Sequence, residues 1–307
     1  MAMFEDMKST HANWIALIPE ATIKRKTLEL LPDSQNDCWG ETTEATIESI
    51  RLARKAGLKI FIKPHIVLET KEKAQISRKE DKLRGAKWRG QLKLKKEENW
   101  LVLEENYSKY ILNLAAIADE HNVELFSVGT ELKKFVSHRK EFWKELIREV
   151  RNVYSGKITY SANWDEFHKV KFWNELDYIG VDTYFPISAE HTPDVDKTLK
   201  KWSPIKRKLK KISEESNRQI ILTEFGYRNI PFAGKQPWIH DRGEPITSNE
   251  MAQVNLYESF FRAFWKESWI AGGFAWKWFA KPLKKGNTDF TIQDKPALSV
   301  VQKWYSM

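Results

Sequence analysis

Short apolar segments alternate with longer amphipathic segments along nearly the whole chain, and this alternation limits the possible folds more strongly than any other feature. The apolar segments, such as 15–18 and 220–222, have the length and composition of buried strands. Helix-to-strand connections are short, whereas strand-to-helix connections are long, polar and aromatic. Because a (β/α)8 TIM barrel builds its active site from strand-to-helix loops, the asymmetry predicts an α/β fold of that class. A doubly wound open sheet is the alternative, but no glycine-rich phosphate fingerprint follows any strand.

The number of segments adds a second expectation. We predict eight helices but only seven strands, and the chain opens with a helix near residues 3–9. As a barrel, this chain lacks the first β-strand, and residues 1–307 form a single catalytic (β/α)8-type domain. A missing strand leaves hydrogen-bonding groups exposed at a sheet edge. We therefore expect reduced stability, and a monomer or a dimer that covers the open barrel edge.

Composition places the chain among globular proteins. Hydrophobic residues make up 41% and charged residues 30%, which is sufficient for a large core. Cys38 is the single cysteine, so no internal disulfide can form. No run approaches the roughly 18 apolar residues of a membrane span, and the acidic first residues lack the apolar region of a signal peptide. We expect a soluble chain without a membrane partner. Its compartment stays open, because a leader upstream of residue 1 would not be visible.

The net charge of +9 raises the question of a nucleic-acid partner. Much of the charge lies in 71–96 and 197–211, and the second run carries leucine and isoleucine at helical spacing. That pattern is typical of the solvated face of an amphipathic helix. Since no nucleic-acid-binding motif accompanies it, this class is the least favoured and no nucleic-acid partner is predicted.

Tryptophan is unusually frequent, with 14 in 307 residues. Flat aromatic faces in a cleft suit sugar rings, whose C–H faces pack on π surfaces. For Trp88 and Trp100, in the long 66–104 connection, a packed cluster that holds the loop is the equal alternative. Polar, loop-like surroundings favour a sugar-binding role for several tryptophans: Trp39, Trp88, Trp100, Trp164 and Trp238.

Two predicted strands end on a glutamate, Glu131 and Glu224. A charge at the end of a buried strand is costly unless the site uses it. With the absent strand counted as the first, these residues end strands four and seven, whose ends face each other across a barrel mouth. Carboxyl groups about 5–5.5 Å apart suit retaining glycoside hydrolysis. We assign Glu224 as the nucleophile and Glu131 as the acid/base.

Five segments together resemble glycoside hydrolase family 113: WIALIP at 14–19, WGETTE at 39–44, GLKIFIKPH at 57–65, VGTEL at 128–132 and TEFGY at 223–227. The resemblance implies a (β/α)8 barrel of the retaining clan and endo-β-1,4-mannanase activity on mannan- or glucomannan-type chains. An oligo- or polysaccharide is then the partner. No spacing of histidine or acidic residues suggests a metal site, and no cofactor is predicted.

The other candidate substrate-binding residues follow predicted strands. The resemblance implies that Trp276, at the end of the last strand, forms the floor of the sugar site; a core tryptophan is the alternative. Tyr184 follows the sixth strand, where it would hydrogen-bond Glu224 or serve in packing. Lys63 and His65 end the third strand, and His65 would bind a sugar hydroxyl or be structural.

Position 130 departs from the pattern of the broader clan. Many of its families place asparagine directly before the acid/base, where it binds the sugar 2-hydroxyl, and this chain has Thr130. Asn163, followed by Trp164 after the next strand, is the candidate replacement. Solvated, capping or orienting roles are expected for four further acids, namely Asp165, Glu166, Asp177 and Asp182.

Other functions stay open beside an endo-mannanase. An exo-acting enzyme, or a hydrolase of a different β-glycan, would differ in how the loops 66–104 and 225–248 close the pocket. A non-catalytic carbohydrate-binding barrel is the alternative outside the enzyme class, because a loosened barrel would misplace the carboxylates by the roughly 1 Å that costs about 100-fold.

Overall fold

The computed structural model describes residues 2–32, 42–240, 246–281, 283–284 and 286–307. The helices are α1 (Ala2–Lys8), α2 (Thr43–Lys55), α3 (Lys71–Ala74), α4 (Glu97–Glu120), α5 (Lys133–His138), α6 (Lys140–Val153), α7 (Val195–Ser216), α8 (Glu250–Phe264) and α9 (Ala297–Tyr305). The strands are β1 (Trp14–Leu17), β2 (Glu20–Ile23), β3 (Leu30–Pro32), β4 (Lys59–Ile62), β5 (His65–Leu68), β6 (Leu125–Thr130), β7 (Lys157–Asn163), β8 (Ile179–Asp182), β9 (Ile220–Phe225) and β10 (Ile270–Ala275). Cys38, Trp39 and the adjoining Gly40 and Glu41 lie outside the described residues.

The chain divides into two compact units, one of Trp14–Ile179 and one of Met1–Asn13 with Gly180–Met307. The first unit contains four parallel strands in the order β1-β4-β6-β7. Trp14 pairs with Lys59, Phe61 with Leu125, and Leu125 in turn with Lys157. Strand and helix alternate here as predicted, and Gly57 ends the α2 turn with a φ of 76°, which glycine adopts without strain.

Aromatic packing fixes the strand that leads to Glu131. All six residues of β6 are buried. Tyr107 of α4, Phe135 of α5 and Trp143 of α6 meet edge to face, with ring centroids 5.2 to 5.6 Å apart. The Tyr107 hydroxyl also donates to the Val128 carbonyl at 2.8 Å. The helices therefore hold β6 in place directly before its functional end.

A small second sheet in the same unit was not predicted. β2 pairs antiparallel with β3 and parallel with β5, in the order β3-β2-β5. The prediction that His65 ends the third barrel strand is therefore wrong: β4 stops at Ile62, and His65 begins β5, opposite Glu20. β2 starts three residues after β1 ends, and β5 starts three residues after β4 ends, so in the sequence each of them merges with the barrel strand before it.

The prediction of one loop over 66–104 is also wrong. This segment contains most of β5, the helix α3, a 3₁₀ turn at Arg89–Gln91 and the start of α4. Trp100 lies in α4, is 5% exposed, and its ring centroid is 5.3 Å from that of Phe135. Of the two alternatives for Trp100, the packed cluster is correct.

The second unit contains β8, β9 and β10 together with α1 and α7–α9. β9 is buried throughout and runs parallel to β10, with two irregularities in their pairing. Phe225 at the end of β9 stacks on Phe260 of α8 with centroids 4.3 Å apart, and Trp202 of α7 packs edge-on against Phe264. The apolar faces of α7 and α8 thus form the core around the strand that carries Glu224.

Across the described ranges, the parallel strands of the two units outside the small sheet number seven, and α1 precedes the first of them, as predicted, whereas nine α-helices are present instead of the predicted eight. No helix among these residues is long and apolar enough to cross a membrane. That residues 1–307 form a single domain stays a prediction.

Candidate active site

Glu131 directly follows β6 in a backbone conformation that is uncommon for its residue type. Its φ is 54°, in the left-handed region, where a residue with a Cβ is strained by about 1–3 kcal/mol. Hydrogen bonds hold this turn on both sides of the Glu131 carbonyl. The Glu131 N–H donates to the Ser161 carbonyl at 2.8 Å, and the Leu132 N–H donates to the Tyr160 hydroxyl at 2.7 Å. The Glu131 side chain in this turn is nearly buried.

A guanidinium group contacts the Glu131 carboxylate. Arg89 Nη2 donates to Glu131 Oε2 at 2.8 Å, and the two side chains are 19% and 12% exposed. The prediction from sequence considered Trp88 in this stretch but not Arg89. The arginine lies 42 residues before Glu131 in a loop, and nothing in the local pattern indicates where its side chain reaches.

Behind Glu131 lies a second glutamate, Glu166, which has no exposed surface. It accepts hydrogen bonds from the Tyr160 hydroxyl at 2.5 Å and from the Asn163 N–H at 3.3 Å. Burial raises the pKa of Glu166 to about 8, and the nearby Glu131 charge adds to this rise. Of the roles expected for Glu166, the solvated one is wrong and the orienting one fits its contacts, because Tyr160 connects it to the backbone beside Glu131.

The remaining predicted residues of this unit differ in exposure. Lys63 and His65 are buried, and Asn163 and Trp164 are partly exposed. The Asn163 Oδ1 accepts from the Trp164 N–H at 2.8 Å, so this amide already helps to shape the turn after β7.

Two more predicted positions in this unit have defined contacts. The Thr130 hydroxyl donates to the Pro64 carbonyl at 2.9 Å and so connects the ends of β6 and β4. Trp88 is 37% exposed, and its ring covers Gly90 so closely that a Cβ there would lie 2.2 Å from a ring carbon.

In the other unit, Glu224 is the fifth residue of β9 and is 5% exposed. The Tyr184 hydroxyl donates to Glu224 Oε2 at 2.7 Å, which is the hydrogen bond expected from the sequence. The Glu224 carbonyl accepts from the Thr183 N–H at 2.7 Å and from its hydroxyl at 2.8 Å. One residue back, the Thr223 hydroxyl donates to Asp182 Oδ1 at 2.7 Å. The buried carboxylate is thus oriented by both its backbone and its side-chain contacts.

Trp276 lies next to the end of the same strand. The backbone N–H of Trp276 donates to the Phe225 carbonyl at 2.7 Å, and the Trp276 side chain is partly exposed. Gly226 allows this approach, because a Cβ on it would lie 2.3 Å from the Trp276 carbonyl oxygen. Trp276 is therefore not a fully buried core tryptophan, although its role as a sugar platform stays a prediction.

The sequence profile of Glycoside Hydrolase Family 113 matches residues 1–295. The chain belongs to glycoside hydrolase family 113. It is therefore a glycoside hydrolase, and the resemblance inferred from the five segments is confirmed.

Solved structures agree with membership of family 113. The β-mannanase AaManA from Alicyclobacillus acidocaldarius, solved in complex with ManMIm, superposes with a TM-score of 0.82 at 23% identity, over 99% of this chain and 90% of that one. A family 113 β-1,4-mannanase solved as a complex gives a TM-score of 0.81 at 23% identity, over 99% of this chain and 92% of that one. No protein with a curated description matches the chain.

A more distant structural relative lies outside the family. A β-glucuronidase from Ruminococcus gnavus, in complex with D-glucuronic acid, gives a TM-score of 0.62 at 15% identity, over 99% of this chain and 45% of that one. Likeness at these identities shows the fold, and the predicted (β/α)8 barrel class is confirmed.

For this family 113 chain, the structure groups the predicted residues within each unit. Glu131 follows β6 beside the Thr130–Pro64 contact, and its N–H donates to the Ser161 carbonyl of β7, the strand that ends at Asn163. Glu224 lies with Tyr184 and next to the strand end that carries Trp276. Among the residues that the structure describes, no group of three histidine, cysteine or acidic side chains is arranged to hold a metal ion.

Proposed function

We propose that this family 113 hydrolase cleaves β-1,4-mannosidic linkages in mannan- or glucomannan-type chains by a retaining double displacement. The proposal rests chiefly on one observation: β6 and β9, strands four and seven of the barrel, each have at their carboxyl end a nearly buried glutamate with a defined side-chain partner. The mannan substrate is taken from relatives of 22–23% identity that are described as β-mannanases or β-1,4-mannanases.

In the first step, a Glu224 oxygen bonds to the anomeric carbon while the glycosidic C–O bond breaks. Glu131 transfers its proton to the departing sugar oxygen. Water then attacks the anomeric carbon of the glycosyl ester, gives its proton to Glu131 and releases Glu224 as a carboxylate. The Tyr184 hydroxyl, 2.7 Å from Glu224 Oε2, would restrain carboxylate rotation and hold the nucleophile in line with the anomeric carbon.

The first test is a product time course on β-1,4-mannohexaose, with cellohexaose and xylohexaose in parallel. We expect short manno-oligosaccharides from mannohexaose alone, and the first product should carry the β-anomeric configuration by ¹H NMR. Product sizes separate internal from terminal cutting. Products only from another hexaose would overturn the mannan substrate, and an α-anomer would overturn retention.

Glutamine variants assign the two carboxylates in the same assay. Glu131→Gln should lower turnover about 100- to 10,000-fold, since it removes the proton donor, and Glu224→Gln should lower it at least as far, since it removes the nucleophile. Glu120→Gln is the matched control, because Glu120 is an exposed glutamate near the end of α4. Near-normal turnover in Glu224→Gln would end the assignment, and binding without products in the unaltered protein would indicate a carbohydrate-binding barrel.

A further inference from the structure

We propose that Arg89 is a positioning residue that sets the balance between the proton-donating and proton-accepting forms of Glu131. The inference rests on the proposed function, in which Glu131 acts first as an acid and then as a base. It adds a residue that neither the family motifs nor the strand-end pattern indicates.

The contact between Arg89 and Glu131 has the geometry of a strong interaction. The Nη2–Oε2 distance of 2.8 Å lies in the range of charge-assisted hydrogen bonds. Both side chains are largely covered, at 19% and 12% exposure, so water screens the two charges less than at an open surface. A guanidinium at this distance favours the carboxylate form of its partner. The buried Glu166, in the turn after β7, also senses the charge of Glu131, but its pKa is raised to about 8, so below that pH it is mostly neutral and adds little charge to oppose Arg89.

The loop around Arg89 is packed tightly. Arg89 begins the 3₁₀ turn Arg89–Gln91, and the Trp88 ring lies over the buried Gly90. The Gln91 side-chain oxygen accepts from the Lys87 N–H at 2.9 Å, and the Gln91 N–H donates to the Trp88 carbonyl at 3.0 Å. This turn holds the base of the Arg89 side chain in one place.

A second arginine fixes the segment just before this turn. Arg25, 4% exposed, follows β2 and donates to Asp81 Oδ1 at 3.1 Å, to the Leu83 carbonyl at 3.3 Å and to the Ala86 carbonyl at 3.2 Å. The Lys82 N–H donates back to the Arg25 carbonyl at 3.1 Å. The small sheet β3-β2-β5 therefore supports the loop that carries Arg89 to Glu131.

The two steps of a double displacement make opposite demands on Glu131. The first step requires a protonated carboxyl, and the second requires a carboxylate. The Arg89 charge favours the carboxylate form of Glu131 and therefore favours the second step. It also makes Glu131 lose its proton at a lower pH than it would without Arg89, so the first step slows at that lower pH. Without that charge, Glu131 keeps its proton to higher pH, so the alkaline limb of kcat/KM moves upward.

The test compares Arg89→Gln with Arg89→Lys, which keeps the charge, and with Arg84→Gln. Arg84 is an exposed arginine of the same loop, so its replacement makes the same change in net charge. The Glu131 carboxyl is followed by ¹³C NMR between pH 3 and pH 9, with its signal identified by its loss in Glu131→Gln. We expect its titration midpoint to rise by about one pH unit in Arg89→Gln and to stay unchanged in Arg84→Gln.

Kinetics form the second arm. The alkaline limb of kcat/KM on mannohexaose should move upward by the same amount in Arg89→Gln and stay in place in Arg84→Gln. If the protein hydrolyses no tested glycan, the proposed function fails, yet the NMR titration still decides the role of Arg89. Equal Glu131 midpoints in Arg89→Gln and in the unaltered protein would overturn the inference.

A measurement on the unaltered protein covers the case in which Arg89→Gln does not fold. The ¹⁵N signals of the Arg89 guanidinium should move with the same midpoint as the Glu131 carboxyl, because each group senses the charge of the other. Guanidinium signals that do not change as Glu131 titrates would also overturn the inference.

Discussion

At the residue scale, a short chain of buried, hydrogen-bonded groups lies next to Glu131, the proposed acid/base. Glu166 accepts a hydrogen bond from Tyr160, and Tyr160 accepts one from the Leu132 N–H, next to Glu131. Glu166, Tyr160 and Leu132 are all buried. In a low-dielectric interior such a network is rigid when it is fully satisfied, so Glu166 and Tyr160 stabilise the left-handed turn that carries the Glu131 carboxyl.

The raised pKa of Glu166 predicts a pH-dependent stability. The pKa of Glu166 is raised to about 8 in the folded state from the ordinary glutamate value of about 4.5, which applies to the unfolded chain, so the folded state holds its proton over that interval. The protonated Glu166 therefore contributes fully to the free energy of unfolding below pH 4.5, and this contribution is lost as the pH rises towards 8. At about 1.4 kcal/mol per pKa unit, the loss is roughly 3–5 kcal/mol. Urea unfolding at pH 5 and pH 8 should show this loss in the unaltered protein and a flatter response in Glu166→Gln.

Glu120→Gln serves as the control for that comparison, since it removes an exposed carboxyl and should follow the unaltered protein at both pH values. Parallel stability curves for Glu166→Gln and the unaltered protein would contradict the assignment of the pH dependence to Glu166.

At the element scale, success from sequence depended on the length and uniformity of each apolar run. β6 and β9 are six residues long and buried throughout, so their ends, and the glutamates there, were predictable. The strands β2 and β5 each follow a barrel strand after a break of only two residues, so the sequence shows no separate segment for them. Arg89 could not be predicted at all, because its contact with Glu131 depends on how Arg25 and the small sheet fold the intervening loop.

The approach of Gly226 to Trp276 gives an element-scale prediction. Gly226→Ala would place a Cβ 2.3 Å from the Trp276 carbonyl oxygen, so the ends of β9 and β10 must separate. A displacement of about 1 Å near reacting groups costs about 100-fold in rate. We expect kcat on mannohexaose to fall by about that factor while the far-ultraviolet circular dichroism is retained.

Gly156→Ala provides the matched control. Its Cβ would lie 2.2 Å from the Tyr154 hydroxyl oxygen, but Gly156 precedes β7, at the end of the strand away from the barrel's catalytic face. It should lower stability and leave kcat nearly unchanged. A similar kcat for Gly226→Ala and the unaltered protein would show that the Gly226–Trp276 approach does not position the site.

At the scale of the whole molecule, the alternation of strands and helices was enough to predict the barrel class, because each βα unit repeats the same signal. The division into the units Trp14–Ile179 and Met1–Asn13 with Gly180–Met307 carries no such signal, since the boundary falls within β8 rather than in a linker. Covering of an open edge by a second copy likewise stays a prediction.

A single domain over residues 1–307 predicts one cooperative unfolding transition. Urea unfolding followed by tryptophan fluorescence and by far-ultraviolet circular dichroism should give coincident curves, because both units would lose their structure together. The part of the fluorescence change that is lost in Trp143→Phe reports on the core of Trp14–Ile179, and the part that is lost in Trp202→Phe reports on the core of the other unit. Two separated transitions would contradict the single-domain prediction.

The irregular strand β10 has a consequence for how the protein behaves at high concentration. β10 ends the strand order of its unit, its six residues all have some exposure, and its pairing shifts register on either side of Gly272 and Gly273. Flat, regular, apolar edge strands act as templates for fibre growth. The register irregularities and the two consecutive glycines make this strand a poor template. The same glycines that make the pairing of β10 irregular therefore lower its tendency to recruit strands from other chains.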